Sequence, residues 1–311
     1  MQGPAPIVEM TGISISFPGV KALDDVDFRL FPGEVHSLLG ENGAGKSTLI
    51  KALTGVYQID AGTIRIDGEV RRLHGTREAQ AAGIATVYQE VNLCANLSVG
   101  ENVMLGHEVR GRFGIDWRAT HRAASAALAK LGLTRVDPRR PLSDLSLAMQ
   151  QLVAISRAMV VNAKVLILDE PTSSLDTAEV DALFDVIRRL RAEGVAILFV
   201  SHFLDQVFAI SDRLTVLRNG RCEGEYLRHE LDRSTLIRTM IGKDLDALRS
   251  RDAGRPVGGP DRSGTPLLRA VGLGRAGSLE PTDLDVHRGE VVGLAGLLGS
   301  GRTELARLLS G

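Results

Sequence analysis

Residues Gly40 to Ser47 read GENGAGKS, and they sit between an apolar run, EVHSLLG, and a stretch of helical periodicity, STLIKALTG. The spacing G-x-x-x-x-G-K-S, directly after a strand and opening a helix, restricts the chain to folds that present a strand end and a helix N-terminus to the same point. Its glycines let consecutive backbone N–H groups turn inward on an anionic oxygen, and the helix N-terminus adds partial positive charge. Lys46 is then placed to reach the β- and γ-phosphates of a nucleotide, and the Ser47 hydroxyl to ligate Mg²⁺. The whole cradle, Gly40, Glu41, Asn42, Gly43, Ala44, Gly45, Lys46, Ser47 and Thr48, is a candidate nucleotide site.

The surrounding pattern agrees with that requirement. Short apolar runs (EVHSLLG, GIATVYQ, KVLILDE, AILFVSH, RLTVLRNG) alternate with helical periodicity, as in TAEVDALFDVIRRLRAEG, where Leu183, Val186, Ile187 and Leu190 form one face. This predicts an α/β fold with a largely parallel sheet. From about residue 99 to 163 no strand pattern is visible and helix signals dominate, so a helical subdomain inserted into the sheet domain is expected.

A second constraint is a long-period repeat. The segment LDDVDFRLFPGEVHSLLGENGAGKSTLIKALTG, from Leu23, aligns without a gap with LEPTDLDVHRGEVVGLAGLLGSGRTELARLLSG, from Leu279. Matches fall at the Gly-Glu-Val turns (Gly33 to Val35, Gly289 to Val291), at loop glycines and at the helix leucines Leu49, Leu53, Leu305 and Leu309. A duplicated domain explains this better than a short-period solenoid does. The boundaries expected are 1–247 for the first copy, a Gly-, Pro- and Arg-rich linker over about 248–265, and 266–311 for an incomplete start of the second copy. The strand EVVGLAG of that start is expected to leave apolar surface uncovered.

Composition narrows the function classes. With 37 basic and 38 acidic residues the net charge is -1, which supplies no general attraction for nucleic acid or anionic lipid. No apolar run approaches the roughly 18 residues that a membrane span needs, and the N-terminus has no secretory pattern, so a cytoplasmic chain is expected, with any membrane role carried by a partner. Cys94 and Cys222 lie far apart without metal-ligand spacing and read as small residues of a reducing compartment.

The run VLILDEP, from Val165, ends in two carboxylates that strand alternation points to opposite sides. Asp169 can hold Mg²⁺ opposite Ser47, while Glu170 can face the γ-phosphate and orient or deprotonate an attacking water. Gln89 in TVYQE and His202 in ILFVSHFLD are ordinary polar residues taken alone. Both fall at carboxyl ends of predicted parallel strands, where ligands bind in doubly wound sheets.

These motifs, in this order, resemble the nucleotide-binding domain of ABC transporters, which implies a P-loop NTPase fold of ABC ATPase type. The resemblance makes Gln89 the Q-loop glutamine near Mg²⁺ and water, LSLAMQQ (Leu145 to Gln151) the signature, SSLD (Ser173 to Asp176) the D-loop and His202 the switch histidine. Phe17 sits where the family stacks an aromatic ring on adenine, and Ser146 is the implied donor to the γ-phosphate of an opposite cassette. Leu147 and Ala148 stand where the general signature has glycines.

The stretches FPGVKALDDVDF, QEVNLCANLSVGENVMLG and GLLGSGRTEL are similar to the tandem ATPase subunits of monosaccharide importers of the ribose, galactose and xylose type, over nearly all 311 residues. In that group the second loop has arginine for lysine, as Arg302 does here. The resemblance implies a Mg²⁺-dependent ATPase at the cytoplasmic face of the cell membrane. Its implied partners are permease subunits, indirectly a sugar-binding protein, and a second cassette, without nucleic acid. Alternatives are an importer subunit for a nucleoside or autoinducer-like solute, and a soluble tandem ABC protein acting on ribosomes or nucleic acid. The neutral charge and the absence of a long charged helical linker disfavour the last. A small-molecule kinase leaves the repeat and His202 unexplained. A chain closing at Gly311 is expected to hold a second cassette without its own Q-loop, signature or switch histidine.

Overall fold

The structure, a computed structural model, describes residues 5–88, 92–241, 264–296 and 300–310. It divides into two compact units, Met1–Leu245 and Asp246–Gly311. The expected linker, about 248–265, lies almost wholly outside the described residues.

In the first unit β1 (Val8–Phe17) and β2 (Val20–Leu30) precede β3 (Val35–Leu39), the phosphate-type loop and α1 (Lys46–Leu53). Then come β4 (Ala61–Ile66), β5 (Glu69–Val70), α2 (Thr76–Ala81) and β6 (Ile84–Val87). A mostly helical stretch follows with α3 (Val99–Met104), a minimal hairpin of β7 (Arg110–Gly111) and β8 (Gly114–Ile115), α4 (Trp117–Lys130) and α5 (Leu147–Val160). The chain then re-enters the sheet body through β9 (Val165–Asp169), α6 (Thr177–Ala192), β10 (Ala196–Val200), α7 (Leu204–Ile210), β11 (Arg213–Arg218), β12 (Arg221–Leu227) and α8 (Arg233–Ile241). The β7–β8 hairpin departs from the expectation of a stretch without strands. Its two-residue strands are too short to leave a period in the sequence.

Six strands form the main sheet in the order β12-β11-β3-β10-β9-β6. β3, β6, β9, β10 and β11 run parallel, and β12 closes the edge antiparallel to β11. A second, antiparallel sheet has the order β2-β1-β4-β5. Central strands of the main sheet are apolar on both faces because both are covered. Alternate residues therefore go to different cores: Ala196, Leu198 and Val200 of β10 join Leu38, Ile167 and the α1 residues Leu49, Ile50 and Leu53 in a cluster with the antiparallel sheet. Ile197 and Phe199 turn the other way, onto Leu183, Val186, Ile187 and Leu190 of α6. These four α6 side chains are the face read from its periodicity, and each contributes about 1.5–3 kcal/mol by burial. Val99, Val103, Ala124, Leu128 and Val153 make a third, separate cluster inside the helical stretch.

One polar group is enclosed by this packing. His36 of β3 is fully buried, with Nε2 2.7 Å from the Thr215 hydroxyl and its ring 4.8 Å from that of Phe28. Burial, reinforced by the Arg213 charge, pushes its pKa down from 6.5 to about 3. Between those values the unfolded chain binds a proton that the folded one refuses, so this contribution is fully present above about pH 6.5 and is lost as pH falls toward 3. From pH 7 to pH 5 the expected loss is about 2 kcal/mol. Urea unfolding of wild type and His36→Gln at the two pH values checks it: the variant should have the flatter dependence, and equal slopes would show that His36 is not the cause.

In the second unit β13 (Leu268–Arg275) and β14 (Leu279–Val286) form an antiparallel pair, and α9 (Arg302–Ser310) follows. The expected strand from 290 to 296 is not formed by its described residues, and Val291 is 96% exposed. Its counterpart β3 is a strand because β10 and β11 flank it, and those strands come from later in the first copy. The two hairpins also differ in length. Ile15 pairs with Leu23 across seven intervening residues (16–22), whereas Arg275 pairs with Leu279 across three (276–278).

Candidate functional site

The carboxyl ends of three adjacent parallel strands bring the candidate residues together. β3 delivers the GENGAGKS loop, β9 ends at Asp169, and β10 runs out through Val200 and Ser201 to His202. A cavity of about 400 Å³ opens there, lined by Asn42, Gly43, Gly45, Lys46, Ser47, Thr48, Asp169, Glu170 and His202, with Ala22 and Val200. A second cavity of similar volume lies beside Tyr88, Leu93 and Arg157, and no residue of the loop lines it.

The loop geometry depends on glycine at two points. Gly40 has φ +149°, and a Cβ there would collide with the Leu217 carbonyl. Gly45, the residue before α1, has φ +105°, and a Cβ would stand 2.8 Å from Leu23 Cδ2 and 2.9 Å from the Ala22 oxygen. That approach explains why Ala22 lines the cavity. Ala44 faces the core and its N–H donates to the Glu41 carbonyl at 3.1 Å, so its part in the cradle is to shape the turn.

Lys46 Nζ donates to the carbonyls of Gly40 (2.7 Å) and Glu41 (3.1 Å). Burial pushes its pKa below the ordinary lysine value, with the Glu170 and Asp169 charges pulling the other way. Burial raises Asp169 above the usual carboxylate range, the neighbouring Glu170 charge adds to this, and Lys46 and Lys51 oppose it. A cation entering beside Asp169 would therefore meet a carboxylate short of positive charge. Together with the Ser47 hydroxyl this is a hard-oxygen donor set that suits Mg²⁺, although the described residues hold no cluster of three or more acidic, His or Cys ligands. Few protein ligands are what Mg²⁺ uses when phosphate and water complete its octahedron.

Glu170 is the most constrained residue of the site. Its φ is +50°, a left-handed conformation that costs a residue with a Cβ about 1–2 kcal/mol. Its Oε2 lies 2.8 Å from His202 Nδ1, with the carboxylate side chain 17% and the imidazole 63% exposed. The pair thus has one member held by the fold and one at the solvent boundary.

Six described sequence candidates lie outside the cavity lining: Gly40, Glu41 and Ala44, which shape the loop from behind, and Phe17, Ser146 and Asp176. Phe17 is 37% exposed, with its ring edge-on to Tyr57 at 5.1 Å. Ser146 caps α5, its hydroxyl accepting from Met149 N–H at 3.4 Å. Asp176 caps α6, accepting from Glu179 N–H at 2.8 Å. Gln89 lies outside the described residues. Ala22 and Val200, in turn, were invisible to the sequence reading: one is placed by the close approach of Gly45 and the other by strand pairing with Asp169.

A glycine-rich loop on a helix N-terminus, with an acidic pair and a histidine on the neighbouring strand ends, defines a phosphate-binding ATPase-type cassette. Residues 23–173 match the ABC transporter family. The solved ADP form of an ATP-binding cassette of an ABC transporter superposes with a TM-score of 0.66 at 25% identity, over 79% of this chain and 99% of that one. Residues 23–173 thus carry an ABC transporter domain, and the first unit has the fold of an ATP-binding cassette.

Among full-length relatives, it is 62% identical over 309 residues to a fructose import ATP-binding protein of Bifidobacterium longum. It is 52% identical over 306 residues to a galactofuranose transporter ATP-binding protein of Escherichia coli K12, and 49% identical over 307 to a ribose import ATP-binding protein of Rubrobacter xylanophilus. Each alignment covers 98% of this chain and 60% of the relative, so the chain spans about 60% of the length of the curated relatives it matches. No described helix is long and apolar enough to cross a membrane.

Proposed function

We propose that this chain is the ATP-binding and ATP-hydrolysing part of a monosaccharide importer, working from the cytoplasmic face of the membrane through permease subunits. The observation that carries the reading is the convergence of Lys46, Ser47, Asp169, Glu170 and His202 on one cavity at the sheet's carboxyl edge. The sugar-import names of the relatives supply the substrate class.

In this reading the loop N–H groups and Lys46 hold the β- and γ-phosphates, and Phe17 offers its exposed ring to the adenine. Mg²⁺, held by Ser47 and Asp169, would neutralise phosphate charge. Glu170 accepts the proton of a water whose oxygen attacks the γ-phosphorus; the bond from that phosphorus to the β-bridging oxygen breaks, leaving ADP and phosphate. His202 donates toward the γ-phosphate oxygens and fixes the Glu170 carboxylate. Ser146 and Asp176, outside this cavity, serve the phosphate of an opposing cassette. Which monosaccharide moves is set by the permease and the binding protein.

Purification of the full-length protein from its own cells tests the assignment. The expected result is an integral membrane partner in the preparation and ATP-dependent monosaccharide uptake when both are placed in vesicles. Recovery with ribosomal RNA and without a membrane protein would overturn it in favour of a soluble translation or nucleic-acid ATPase.

A further inference from the structure

The segment that follows β9 is gripped at each successive residue by a different element. The Glu170 N–H donates to the Val200 carbonyl of β10 at 2.9 Å. Pro171 has no N–H, and its carbonyl accepts from the Gln151 side-chain amide of α5 at 3.3 Å. The Thr172 hydroxyl donates to Gln206 Oε1 of α7 at 2.5 Å. Thr172 and Gln151 are 2% and 4% exposed. None of the three side chains lines the cavity.

Such a grip is more than the turn itself needs, because Ser173 and Leu175 N–H already close it on the Glu170 and Thr172 carbonyls. It has an object in Glu170, whose left-handed backbone persists only where the surroundings over-determine it. The donors also come from informative places. Gln206 lies in the helix that begins two residues after His202, and Gln151 in the helix that Ser146 caps. The Thr172–Gln206 bond therefore ties the loop bearing Glu170 to the loop bearing His202, the two groups that face each other at 2.8 Å.

We propose that Thr172 and Gln206, seconded by Gln151, are positioning residues for hydrolysis: their hydrogen bonds hold the backbone after β9 so that the Glu170 carboxylate meets its water and His202 in register. This rests on the reading of Glu170 as the base. The bonds contribute to the chemical step and leave ATP affinity alone, since the phosphate loop is anchored separately through Gly40, Glu41 and Lys46.

The test uses the full-length protein with its membrane partners. Thr172→Val keeps shape and removes the donor; Thr172→Ser keeps the donor; Gln206→Met removes the acceptor from a half-buried site. A misplacement of about 1 Å can cost on the order of 10²-fold, so Thr172→Val and Gln206→Met are each expected to lower kcat by about 10- to 100-fold, with KM and the ATP Kd changed by less than about twofold. Thr172→Ser should stay within about threefold of wild type, and the Val/Met double variant should be no slower than the worse single one, because both remove one bond. A Thr172→Val or Gln206→Met enzyme with wild-type kcat, or a Thr172→Ser enzyme as slow as Thr172→Val, overturns the proposal. Should Thr172→Val fail to fold, Gln206→Met decides alone. Glu170→Gln is measured alongside: if it hydrolyses ATP normally the base assignment itself fails, whereas a dead Glu170→Gln beside normal Thr172 and Gln206 variants removes only the positioning role.

Discussion

Replacing Glu170 by glutamine is expected to slow ATP hydrolysis by about 10²- to 10⁴-fold while leaving ATP binding within a few-fold of wild type. The amide keeps the side chain's shape, its place beside His202 and its exposure to the cavity, and loses only the capacity to accept a proton. Removing one carboxylate charge next to Lys46 and Asp169 also lessens repulsion of phosphate, so binding should if anything tighten. Single-turnover hydrolysis together with calorimetric titration of ATP separates the two quantities. Loss of binding equal to the loss of rate would remove Glu170 from the role of base and make it part of the cradle.

Lys46→Ala should act in the opposite sense, on binding. Its ammonium is half-buried, bridges the Gly40 and Glu41 carbonyls, and belongs to the lysine among the residues that line the cavity, which include no arginine. Truncating one partner of a desolvated charge pair costs about 2–5 kcal/mol, which for ATP is a loss of affinity of about 30-fold or more. An unchanged Kd by calorimetry would mean that the loop N–H groups carry the phosphates without it. The two variants therefore divide the site: one side chain for holding the nucleotide, one for cutting it.

How much of this was legible beforehand depends on the range of the interaction. The strand end at Asp169, the strand that ends two residues before His202, the α6 face of Leu183, Val186, Ile187 and Leu190, and the loop opening α1 are set by local period and spacing, and each stands where the sequence puts it. The strand read at 290 to 296 was misjudged because its apolar pattern is that of β3, and a pattern becomes a strand only beside neighbours that complete its ladder. The β7–β8 hairpin is too short to show a period. Ala22 comes to the site through the close approach of Gly45, Gln151 reaches the Pro171 carbonyl across 20 residues of chain, and Thr172 meets Gln206 across 34. Nothing in residue type or spacing announces such contacts, because they arise from how sheet and helices stack.

The shorter hairpin of the second unit bears on what two copies of one design can each recognise. In the first unit the hairpin runs on past the Ile15–Leu23 pair through Ser16–Lys21 and Phe17–Val20, and the exposed ring of Phe17 is the one proposed to stack on adenine. The second unit closes its hairpin directly after the Arg275–Leu279 pair with Ala276, Gly277 and Ser278, which offer no ring, and the sequence carries Arg302 in place of lysine. A site built on that unit would sense charge while remaining indifferent to the base. With Phe17 stacked on the base as proposed, discrimination of ATP from pyrimidine triphosphates or bare polyphosphate would belong to the first unit, and would rest on the few paired residues by which its hairpin outruns that of the second.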